Sequence, residues 1–67
     1  MNTIERVAKL LRTLNPNDPS GQWSIYDLAV ALSDIDPPDI ETAVQELCPS
    51  GGRYVGGTSQ YLYHLMS

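Results

Sequence analysis

Few side chains in this sequence are equipped for covalent or acid–base chemistry. It has one histidine, His64, and one cysteine, Cys48. A nucleophile needs a general base within reach and a third group to orient that base. No serine or cysteine stands in a motif that supplies such partners. His64 therefore reads as a structural strand residue at a half-buried position, and Cys48 as a small buried hydrophobe. A lone cysteine also excludes an internal disulfide and a cysteine-rich zinc site. The glycines of "PSGG" and "VGG" lack the lysine and hydroxyl residue that complete a phosphate loop, so they read as turns. The expectation is a non-enzymatic protein with no catalytic residues, no cofactor and no metal.

What remains is the chemistry of recognition. In "PPDIETAVQEL", Pro37 to Leu47, the outward positions of a short helix are Asp39, Glu41, Thr42, Gln45 and Glu46, with no Lys or Arg among them. These acids read either as a docking surface for a basic partner or as a solvated face, with Asp36 and Asp39 favouring the positive end of the helix. Arg6, Lys9 and Arg12 form a basic stripe that either meets phosphates or an acidic partner, or is simply solvated. Arg53 is the one cation that the sequence places near the acidic helix. Tyr54, Tyr61 and Tyr63, with Leu62 and Met66, are more aromatic and apolar than one small core needs. Val55, Tyr63 and Leu65 are expected to pack on the helices. The others are expected to be exposed, with the composition of a protein interface. A basic first helix and an acidic third one also give a charge asymmetry that allows head-to-tail self-association or a homodimer.

These residues must be positioned by a single small domain over 1–67, because 67 residues are too few for a second core. Hydrophobic residues at 42% and charged residues at 18% place the chain with folded globules rather than disordered segments. The periodicity predicts a helix over 3–14, with Ile4, Val7, Ala8, Leu11 and Leu14 inward, Leu10 at the edge, and Asn2 as its cap. "NPNDPSG" stops it. A second helix over 24–33 opens on the capping box of Ser24 and Asp27. A third over 37–48 follows the N-cap Asp36, with Pro37 at its first position. Beyond "CPSGG", aromatic and β-branched residues flank Gly56-Gly57, the signature of a hairpin over 53–66. Tyr61, Tyr63 and Leu65 would share one face of its second strand. "GQW" before Ser24 could add a short edge strand. The expected core is Leu11, Leu28, Leu32, Ile40, Val44 and Leu47.

Three helices with a tight turn between the second and third, then a hairpin, is the order of an α+β domain. Over nearly the whole chain, "WSIYDLAVAL…DIDPPDIETAVQEL…GGRYVGGTSQYLYHL" resembles the winged helix-turn-helix superfamily. The resemblance implies a compact domain whose third helix and hairpin wing make the contacts, with DNA, RNA or protein. Charge then sorts the partners. A net charge of −4, with only Arg6, Lys9, Arg12 and Arg53 as cations, disfavours binding to phosphates. The resulting reading is a protein-interaction module using Glu41, Thr42, Gln45, Glu46, Arg53, Tyr54 and Tyr61. The alternatives are a DNA-binding transcriptional regulator using Arg6, Lys9, Arg12 and Arg53, and an acidic DNA mimic. No apolar run is long enough to span a membrane, and no secretory signal is visible, so a cytoplasmic location is expected.

Overall fold

The computed structural model describes residues 2–66. Among these it contains helices α1 (Thr3–Leu11), α2 (Ile25–Ala31) and α3 (Pro37–Leu47), followed by strands β1 (Arg53–Val55) and β2 (Gln60–Leu62). The strands pair antiparallel, with Tyr54 opposite Tyr61, and Trp23 adds an isolated bridge to Tyr63. The result is an α+β, winged-helix-like layout: three helices, then a hairpin whose inner edge is joined by the residue before the α2 cap.

Local chemistry explains where the helices start. The Asn2 side chain accepts from the Glu5 N–H at 2.8 Å, and the Ser24 hydroxyl from the Asp27 N–H at 3.0 Å. Each satisfies an amide that the first helical turn leaves unpaired. Asp36 occupies the cap position of α3, but its side chain makes no capping hydrogen bond. An N-cap side chain serves the second or third helical N–H. Here Pro38 has none, and the Asp39 N–H donates to the Asp36 carbonyl instead.

The helices are shorter than their apolar periodicity predicts. α1 ends at Leu11 because the Thr13 N–H donates to the Leu10 carbonyl, tightening the last turn, and the chain then folds into a fixed loop. Leu14 is consequently 75% exposed rather than inward, and Ile4 is 40% exposed. α2 leaves helical geometry at Leu32, and α3 at Cys48.

The core lies where the three helices meet. Val7 and Leu11 of α1, Leu28 of α2, and Ile40, Ala43 and Val44 of α3 are all buried, with Trp23 and Leu32 from the flanking loops. Leu47 packs against this cluster while remaining half-buried. α1 and α3 make the most extensive contact, so α3 is held with its opposite side facing out.

The loop between α1 and α2 is organised by Asn15, a polar residue only 2% exposed. Its amide donates to the Gln22 carbonyl at 3.0 Å and to Asp27 Oδ2 at 2.8 Å, and its Oδ1 accepts from the Asn17 N–H at 3.0 Å. The Trp23 indole N–H donates to the Thr13 carbonyl at 3.0 Å. These bonds set Trp23 where it can reach the hairpin. The Trp23 and Tyr63 main chains exchange two hydrogen bonds, of 2.9 and 2.7 Å, and the Leu65 N–H donates to the Leu11 carbonyl at 2.9 Å.

The hairpin departs from simple alternation. Leu62, expected to face away from the helices, is buried at 9% exposure, whereas Val55 is half-buried outside the core cluster. Tyr63 and Leu65 do pack against the core. Regular pairing stops at Leu62, so the two-residue period no longer governs the residues beyond it. The turn comprises residues 56–59, and its left-handed residue is Ser59, with φ 56°, rather than Gly56 or Gly57.

Candidate functional site

All five outward residues of α3, Asp39, Glu41, Thr42, Gln45 and Glu46, are exposed. They do not form one site. Glu41 lines a groove of about 300 Å³ shared with Tyr26 of α2 and with Ser59, Tyr61 and Tyr63 of the hairpin. Asp39, Thr42 and Glu46 instead line a groove against α1, beside Thr3 and Ile4. The Thr42 hydroxyl donates to the Pro38 carbonyl at 3.0 Å. Gln45 lines neither groove.

The wing side of α3 is aromatic. Tyr61 is 52% and Tyr54 54% exposed, and their rings lie against each other at 5.0 Å between centroids, tilted by 57°. This is the cross-strand pairing that their register dictates. Tyr26 is 68% exposed at the start of α2 and was not marked by sequence reasoning, although its place outside the stripe of Ile25, Leu28, Ala29 and Leu32 could have flagged it. Partial burial pushes the Tyr63 phenol above its ordinary pKa, and the neighbouring Cys48, Tyr61 and Glu41 reinforce the shift. The phenol therefore stays protonated. No cation lines this groove.

The cations are dispersed. Arg6 is committed to Asp34 in a two-pronged pair, with Nη1 and Nη2 donating at 2.7 and 2.9 Å. It is the one ion pair among the described residues. The pairing holds the Asp34 carboxyl below the usual range and raises the guanidinium, chiefly through the hydrogen bonds. Arg53 was expected to lie beside the acidic helix. Its Nε donates to Gln22 Oε1 at 3.2 Å, and its charge acts on Asp18 in the α1–α2 loop. The hairpin carries the first residue of β1 toward that loop. Lys9 and Arg12 remain together, on a groove with Ile4, Ala8 and Leu47.

His64 is exposed, not half-buried as its strand position suggests, because the paired strand has already ended. Burial pushes the Cys48 thiol up, which keeps it protonated and a poor nucleophile. Among the described residues, no three His, Cys, Asp or Glu side chains are grouped to hold a metal ion. No described helix is long and apolar enough to cross a membrane. No family model, curated protein or solved structure matches the chain.

Proposed function

We propose that this chain is a non-enzymatic winged helix-turn-helix protein that docks a basic segment of a protein partner between its third helix and its wing. The observation that carries this reading is the groove in which Glu41 stands with Tyr26, Tyr61 and Tyr63 and with no lining cation. Exposed tyrosines supply rigid contact area, and a carboxylate beside them favours a Lys or Arg side chain through charge and cation–π attraction. DNA reading through α3 is disfavoured. In that fold the third helix enters the major groove flanked by phosphate-binding cations. Here Arg6 is paired with Asp34 and Arg53 is bonded to Gln22.

The test is a photo-crosslinking residue at position 60, which also lines the groove and leaves its tyrosines in place, used in cells of the native host. A protein adduct is expected, and it should disappear when Glu41→Lys is added. An adduct that survives Glu41→Lys, or its absence altogether, would refute the docking role of this groove. Crosslinking to nucleic acid, strengthened by Glu41→Lys, would favour the transcriptional regulator instead.

A further inference from the structure

A second face of the molecule, between α1 and α3, shares no lining residue with the wing groove. Ile4 lies at its centre, 40% exposed and common to two shallow grooves. On one side of Ile4, Lys9 and Arg12 stand over a floor of Ala8 and Leu47, with Glu5 as the one residue of opposite charge. On the other side, Asp39 and Glu46 flank Ala43 and Thr42. Neither Lys9 nor Arg12 forms an ion pair with a described residue, unlike Arg6 on the same helix.

A face with a basic half and an acidic half about an apolar centre is complementary to itself under a two-fold rotation. Half a turn lays the acidic half of one copy over the basic half of the other. We propose that the chain pairs with a second copy of itself through this α1–α3 face. Ile4 of both copies lies at the axis, and Lys9 and Arg12 of each meet Asp39 and Glu46 of the other. An acidic segment of another protein, or a phosphate backbone, would satisfy only the basic half and leave the acidic half facing it. A second copy satisfies both. A standard interface buries about 1,600 Å² in total. The whole chain exposes only 4413 Å², so one face of it forms a small, reversible and salt-sensitive contact. The wing groove stays outside the interface and remains open to its own partner.

Sedimentation equilibrium from micromolar to millimolar concentration, at low and high salt, tests the pairing with three preparations. The wild type should show a monomer–dimer equilibrium that stops at the dimer, with Kd rising about tenfold or more at high salt. Lys9→Glu/Arg12→Glu makes both halves acidic, and Asp39→Lys/Glu46→Lys makes both basic, so each should be monomeric alone. Their equimolar mixture should form a heterodimer. Asp39 favours the helix N-terminus, so Thr42→Lys/Glu46→Lys serves as the basic chain if circular dichroism shows the first version unfolded. A wild type that is monomeric at millimolar concentration would overturn the proposal. So would folded variants that fail to pair when mixed, or association that grows past the dimer in a head-to-tail chain. A monomeric result would leave the crosslinking test of the wing groove unaffected.

Discussion

The loop between α1 and α2 and the hairpin beyond α3 are both short on regular structure, yet they are held in opposite ways. In the loop, Asn15 is buried and makes three side-chain hydrogen bonds, Asp18 accepts from Ser20 and Gln22, and the Trp23 indole is tied to Thr13. Polar groups there are bonded to backbone and side-chain partners within the loop and at its flanks. In the hairpin, a three-residue ladder carries Tyr54 and Tyr61 outward, and Leu62 is the one strand residue that reaches the buried core. The loop therefore uses its side chains to fix the helices, whereas the hairpin is anchored at its base and leaves the two rings of its ladder exposed. Exposed rings on an anchored element are what the proposed docking role requires, because ordering a contact surface beforehand lowers the entropic cost of binding.

The contrast is broken most severely from the core that both regions lean on. Leu28 is fully buried, and Leu28→Ala should cost about 2–5 kcal/mol through lost burial and the cavity left behind. That approaches the whole stability of so small a domain. Tyr54→Ala, in contrast, should cost under about 1 kcal/mol, as for most exposed positions. Urea unfolding of the two variants compares them directly. Equal losses would mean that the wing rings belong to the folding unit rather than to recognition.

Gly52 tests the anchor itself. A Cβ there would lie 2.5 Å from the Leu62 carbonyl oxygen and 2.8 Å from the Tyr63 ring. Backbone cannot yield as a flexible side chain can, so Gly52→Ala should cost about 1–3 kcal/mol and displace β1 from β2. Loss of the cross-strand nuclear Overhauser contacts between Tyr54 and Tyr61, with the helical contacts kept, is the expected signature. Asn15→Ala probes the loop on a similar scale. It strips the Asp27 carboxylate and the Gln22 carbonyl of a donor, for a loss of about 1–3 kcal/mol. Amide exchange should accelerate in the loop and at Trp23 before it does at β1.

The smallest effect is the pH dependence of the Arg6–Asp34 pair, which is exposed to solvent. Asp34 has a folded-state pKa below its unfolded value, mainly through the Arg6 hydrogen bond. Its contribution is therefore present above the unfolded carboxylate pKa, about 3.9, and is lost as pH falls through the depressed folded value. The urea midpoints of wild type and Arg6→Ala should converge as the solution is acidified below that range. A difference that persists undiminished in acid would assign the role of Arg6 to packing rather than to charge.

Helix identity and orientation were legible in the sequence because they rest on local rules. The capping pairs Asn2 with Glu5 and Ser24 with Asp27 act over three residues, and the stripe of Ile40, Ala43 and Val44 reports the inner side of α3 without reference to its neighbours. The order of three helices and a hairpin came from the same punctuation, as did the exposure of Glu41, Thr42, Gln45 and Glu46. Tertiary structure alone decided which of those exposed residues share a surface. Periodicity assigns residues to a side of a helix, but the packing of neighbours divides that side, sending Glu41 to the wing and Asp39, Thr42 and Glu46 toward α1. It also decided the fates of Arg6 and Arg53, whose partners Asp34 and Gln22 are 28 and 31 residues away along the chain. Leu14 was turned out because it stands three residues past the end of α1, where the helical repeat no longer applies, whereas Leu62 lies within β2 and is buried on the side that the alternation left outward. Local sequence sets dihedral angles and caps, whereas contacts across such separations exist only once the helices have packed and the loop around Asn15 has closed.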